Sequence, residues 1–208
     1  TVNAMIDIED QTSGFTLLGL RITGSYDSNA MVYFEDNQGT LNLSYLDIAN
    51  SGANGKGLEI YDHTGSINLT GVVSHDNKAE GAEIGSGTEI NGKVTVTNSA
   101  FQNNGQEGLI INSNALATLT GVTAVYNQSD GASIHTAGAT VKNSVFNYND
   151  QSDADDDGFW YPFTHTGNLT FENVQLLGNH SSGLYAEVNG NISLTNVRVD
   201  SNLGYGAY

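Results

Sequence analysis

The 208-residue chain carries 23 acidic residues against 6 basic ones, and its net charge of −17 excludes phosphate backbones and anionic membrane surfaces as natural partners. It has no cysteine, which removes disulfides, thiolate metal sites and cysteine nucleophiles and fits an exported protein. No apolar run approaches the roughly 18–20 residues that span a bilayer, and 25 glycines against a single proline predict many turns and few helices.

The first element is "AMIDI", residues 4–8, which reads as a strand. From there the chain repeats itself. "LLGLRI", "LSYLDI", "LTGVVS", "VTNSAF", "LTGVTA", "VKNSVF", "FENVQL" and "LTNVRV" open on the apolar anchors Leu17, Leu43, Leu69, Val96, Leu119, Val141, Phe171 and Leu194, at intervals of 26, 26, 27, 23, 22, 30 and 23 residues. Two residues after each anchor stand Gly19, Tyr45, Gly71, Asn98, Gly121, Asn143, Asn173 and Asn196. Gly and Asn share easy access to positive φ, so this position is predicted to be a left-handed bend between two short strands. Eight residues after the anchor come Asn77, Asn104, Asn127, Asn149, Asn179 and Asn202, with Ser25 and Ser51 in the first two copies. One residue type at one turn position predicts a stacked ladder of side-chain amides. A turn glycine follows, then an alternating strand that points Leu58, Ile60, Ala82, Ile84, Leu109, Ile111, Ala132 and Ile134 inward.

Three short strands per repeat, stacked copy on copy, describe a parallel β-solenoid. About eight coils at about 4.8 Å each make one all-β domain over residues 1–208. Its core column is expected to hold the anchors with Leu46, Ile48, Val72, Phe101, Val122, Phe146, Val174, Leu176, Val197 and Val199.

The longest coil contains "DQSDADDDGFW", residues 150–160. Asp153, Asp155 and Asp157 before Gly158 match the first half of an EF-hand-type loop, in which alternate carboxylates converge on one hard cation. The twelfth position is Thr164 where that loop has a bidentate Glu. The expectation is a structural calcium ion with no catalytic duty, set against a solvated acidic loop. Histidines 63, 75, 135, 165 and 180 are expected at the surface. Residues 1–15 supply part of a coil and Tyr208 falls inside a strand, with no cap at either end. An uncapped solenoid reads as a piece of a longer surface protein, or as a unit that stacks end to end with its own kind or on flanking β-helix coils.

The pattern "LTNVRVDSN…G" resembles the right-handed parallel β-helix repeat of pectate-lyase-like proteins, and the resemblance covers nearly the whole chain. It implies the fold and leaves the function open among polysaccharide lyases, glycoside hydrolases, uronate epimerases, tailspikes and surface adhesins. The enzyme branches imply site motifs that are missing as sets here: "GHG", "RIK", "NTD" and "DPH" do not occur. The basic residues Arg21, Lys56, Lys78, Lys93, Lys142 and Arg198 look dispersed, with none beside an acid cluster. On the outward face of the strand after the turn glycine, Glu59 and Glu83 occupy adjacent coils at a separation of about 5 Å, close to that of a retaining glycosidase. That closeness is automatic for outward residues of neighbouring coils, so a catalytic pair is the weaker reading. Tyr61, Trp160, Tyr185 and Glu187 on the same face are candidates for stacking and holding a sugar. The sequence therefore favours a non-catalytic extracellular domain of a bacterial surface protein, structural, adhesive, self-assembling or polysaccharide-binding. The alternative is a polysaccharide-active enzyme working on this face.

Overall fold

The computed structural model describes residues 5–24, 30–149, 156–162 and 166–208. Among these, every regular element is a β-strand and every strand pairing is parallel. An 8-stranded front sheet runs through Ile6–Glu9, Ala30–Glu35, Lys56–Tyr61, Ala82–Ile84, Leu109–Ser113, Ala132–Thr136, Phe159–Tyr161 and Leu184–Ala186. The 14-stranded sheet makes the other two faces. Its second-face strands contain the anchors, such as Ile67–Thr70 and Val94–Thr97, and its third-face strands follow the bend, such as Val73–His75 and Ala100–Gln102. The two faces become continuous in Leu169–Leu177 and Ile192–Asp200. About seven turns result, close to the eight coils expected.

The bend is left-handed in all eight copies, with φ from 48° at Asn98 to 68° at Gly19. Tyr45, which breaks the Gly/Asn pattern, takes φ 52° all the same. Five residues further on lies a second left-handed site that the sequence does not announce: Asn50, Asp76, Asn103, Tyr126, Tyr148, Gly178 and Ser201.

Register decides the core. Each coil places its inward side chains over those of the next, as in Leu58↔Ala82↔Leu109↔Ala132↔Phe159↔Leu184. The anchors from Leu43 to Phe171 are fully buried, as are Leu46, Ile48, Val72, Phe101, Val122, Phe146, Val174 and Leu176. The terminal coils differ from the expectation. Leu194 is 45% exposed, and Leu17, Val197 and Val199 are only partly buried, because an end coil has a neighbour on one side only.

The six ladder asparagines are joined amide to amide; Asn77 to Asn179 are buried and Asn202, in the last coil, is partly buried. Asn77, Asn104, Asn127, Asn149 and Asn179 each donate Nδ2 to Oδ1 of the next, at 3.0–3.2 Å, ending on Asn202. The same Oδ1 accepts the backbone N–H of the donor residue. The glycines just past the ladder are required for space. At Gly131 a Cβ would lie 2.5 Å from both Asn149 Nδ2 and the Gly158 carbonyl.

Candidate functional site

The front sheet carries two constellations, one on its third and fourth strands and one at its last two strands. Strand alternation sends Tyr33, Glu59, Glu83, Ile110, Ser133, Trp160 and Tyr185 outward in one register file.

On the third and fourth strands, Glu59 and Glu83 face each other with Lys56 between them. Lys56 Nζ donates to Glu59 Oε1 at 2.6 Å and also to Glu83 Oε2. Ser86 Oγ adds a bond to Glu59 Oε1 at 2.8 Å, and Glu59 is only 6% exposed. Burial alone would lower the lysine, but its hydrogen bonds to the two carboxylates outweigh that and hold it above its ordinary value. The sequence reading that no basic residue sits beside an acid cluster is thus corrected. Lys56 escapes notice because it precedes Gly57, in the register slot that Glu80 fills one coil later.

That slot holds acids in the next four coils: Glu80, Glu107, Asp130 and Asp157, each just before a turn glycine. The Asp157 N–H donates to Asp130 Oδ1 at 2.5 Å, and the Ser182 N–H to Asp157 Oδ1 at 2.7 Å. These carboxylates cap backbone donors of the neighbouring coil. Burial raises Asp130 well above the usual carboxylate range, and burial also raises Glu80.

At the last two strands aromatics collect. Trp160 pairs in register with Tyr185, and the His135 ring meets Trp160 edge-on at 5.0 Å. Tyr185 stacks on Tyr208 at 5.0 Å with planes 16° apart, and Tyr205 lies 5.2 Å from Tyr208. Tyr185 Oη donates to Glu187 Oε1 at 2.6 Å, and this bond is the main cause that pushes the phenol up to about 12. A cleft of 500 Å³ opens here between Trp160, Tyr185, Tyr205, Ser181 and the buried Asp157.

The predicted sugar-stacking residues therefore divide. Trp160, Tyr185 and Glu187 come together. Tyr61 lies four strands away, about 19 Å by strand spacing, with Gly87 packed on its ring. Tyr205 and Tyr208 join the cluster unannounced, since they follow the last full repeat. Of the proposed calcium ligands, Asp153 and Asp155 lie outside the described residues, as does Thr164. Asp157 is 4% exposed. Among the described residues no group of three or more His, Cys, Asp or Glu side chains could hold a metal ion. His63 is not at the surface: it is 3% exposed, its Nε2 lies 3.0 Å from the Gly39 carbonyl, and burial lowers its pKa. His75 sits between Asp47 and Asp76, and His165 falls outside the described residues.

A family model described as a right handed beta helix region matches residues 88–208. The chain belongs to this family. Among solved structures, the crystal structure of the pectate lyase Pel9A matches with a TM-score of 0.61 at 16% identity, over 93% of this chain and 56% of that one. The chain thus spans a little over half of that protein's length, and at this identity the likeness is one of fold. No curated protein matches the sequence. Among the described residues no helix is long and apolar enough to cross a membrane.

Proposed function

We propose that this β-helix is a non-catalytic extracellular domain that binds an uncharged polysaccharide along the aromatic end of its front sheet. The observation that carries the reading is one open cleft lined by Trp160, Tyr185 and Tyr205, with Tyr208 stacked on Tyr185 beside it. Pyranose rings present apolar C–H faces to aromatic side chains, while Ser181 and Ser182 line the cleft to bond hydroxyls. The matched pectate lyase acts on a polyanion. Here the −17 charge and the outward Asp7, Glu9, Glu35 and Glu187 repel a polyanion, which favours a neutral glycan.

The second reading, a polysaccharide lyase or hydrolase, rests on Lys56 held between Glu59 and Glu83. A lysine acting as base must be neutral, and these bonds favour its charged form. Incubation with acidic and neutral polysaccharides, assayed for unsaturated products and reducing ends, tests the choice. The expected result is binding with no product. Turnover lost on Lys56→Met or Glu83→Gln would replace the binding role with an enzymatic one.

Calcium at the acidic run is part of the proposal in a structural role only. Asp153 and Asp155 would supply alternate carboxylates that clamp the longest turn, beside Asp157 in the coil wall. Millimolar calcium should then raise the melting temperature and EDTA lower it. Equal melting in both would leave a solvated loop.

A further inference from the structure

A second cleft lies along the corner where the chain leaves the third face. There the second left-handed positions of successive coils stack as Asn50, Asp76, Asn103, Tyr126 and Tyr148. Two residues beyond them run Lys78, Gly105 and Gln128, and the buried ladder amides lie between the two files. Gly105 has no side chain to fill the space between Lys78 and Gln128. A Cβ there would strike the Lys78 carbonyl, so the position stays bare. The cleft measures about 530 Å³, within the range of roughly 300–1,000 Å³ for small-ligand clefts.

Its chemistry is that of a saccharide site. Tyr126 and Tyr148 stack 5.3 Å apart with planes 8° from parallel, so Tyr148 covers one face of Tyr126. The other face looks along the coil axis over Asn103, whose side chain is too short to cover it. Tyr126 is 51% exposed. The side-chain amides of Asn50 and Asn103 and the Lys78 ammonium have no hydrogen-bonding or ionic partner among the described residues.

Other ligands fit poorly. A phosphate would meet one ammonium beside Asp76 on a chain of net charge −17. A wholly apolar ligand would meet one ring among amides. An extended peptide needs an open strand edge, and solenoid edges lie at the two ends. A pyranose offers what the cleft reads: an apolar face for the ring and hydroxyls for the amides and ammonium.

We propose that this cleft is a second saccharide site, taking an uncharged pyranose on the free face of Tyr126, with its hydroxyls bonded by Asn103 and Lys78, while Asn50, three coils or about 14 Å along the file, meets a sugar further along the same oligosaccharide. It rests on the reading of the domain as a saccharide binder, but it uses none of the front-sheet residues.

The test is calorimetric titration of the full chain with cellohexaose, xylohexaose and mannohexaose, alongside Trp160 emission. Tyr126→Asn removes the ring and keeps a residue suited to φ 58°, as Asn103 shows at φ 54° in the coil before. Trp160→Ser removes the front-sheet ring at a strand position that Ser133 fills one coil earlier. The native chain should show two sites for the hexasaccharide that binds. Tyr126→Asn should weaken one by about tenfold or more while Trp160 emission still responds. Trp160→Ser should weaken only the other. Titrations of Tyr126→Asn identical to the native chain would overturn the second site and leave the front-sheet reading standing. Loss in Tyr126→Asn with none in Trp160→Ser would uphold this cleft and overturn the front sheet. No heat with any of the three sugars would overturn both.

Discussion

Asn127 and Asn149, one coil apart, share a doubled hydrogen bond: the Asn127 side-chain amide and backbone N–H both donate to Asn149 Oδ1, at 3.0 and 3.2 Å. Asn127 Nδ2 also donates to the Phe101 carbonyl at 3.1 Å, and Asn127 Oδ1 accepts two N–H groups from Asn104. Asn127 thus makes five of these bonds with 0% exposure, four of them through its side chain. Asn127→Ala leaves the side-chain partners unmet and should cost about 3–5 kcal/mol, at roughly 1–3 per orphaned group. Asn127→Asp should also destabilise, because a carboxylate cannot donate to Phe101 or Asn149. Urea midpoints measure both; a cost under about 1 kcal/mol for Ala would mean the ladder is decorative.

Two glycines separate the two reasons for glycine in this repeat. Gly131→Ala should cost about 2–4 kcal/mol, since its Cβ would press on backbone and a buried amide. Gly19 has φ 68° but nothing within 4 Å of a built Cβ. Gly19→Asn should change stability by no more than about 0.5–1 kcal/mol, because Asn holds the same bend in other coils. Equal costs at the two sites would contradict the assignment.

Asp130 makes stability depend on pH in an unusual sense. Burial raises it well above its ordinary 3.8, against the Asp157 N–H, with Asp157, Asp156 and Glu107 adding repulsion. A group raised on folding contributes stability that is fully present below its unfolded pKa and is lost as pH rises through the folded one. Asp130→Asn keeps the Oδ1 acceptor and removes the charge, so it should raise the melting temperature at pH 7 and have little effect near pH 3. His63 works oppositely. Lowered by burial from 6.5, it contributes stability above that value that is lost as pH falls through its folded pKa. The Asn variant should retain that acid limb. A variant less stable than the native chain at pH 7 would contradict the account of Asp130.

Lys56→Met leaves Glu59 buried without its counter-ion, which should cost about 3–5 kcal/mol. Adding Glu59→Gln should recover much of the loss by removing the stranded charge. Thermal melts of the single and double variants check this, and equal loss in both would show that packing of the lysine stem dominates.

The sequence made the fold legible because a solenoid repeats its constraints. Gly or Asn recurs where φ must be positive, Asn where two N–H groups need one acceptor, and an apolar anchor where coils stack. The second left-handed position stayed hidden since Asn, Asp, Tyr, Gly and Ser all occupy it; the ladder bond that follows holds the backbone whatever the side chain. The site was legible only in part. Trp160 and Tyr185 follow from alternation. Lys56 sits in a slot that other coils fill with acids, and Tyr208 reaches Tyr185 through a stacking that spacing along the chain does not reveal.

The most direct test of the central claim uses the single tryptophan, Trp160, as reporter. Its emission is followed while the chain is titrated with neutral oligosaccharides, and the same samples are assayed for cleavage products. Emission should change saturably, the change should be weakened by Tyr185→Ala, and the oligosaccharide should be recovered intact. Unchanged emission across the neutral sugars, or a cleaved product, would contradict the central claim.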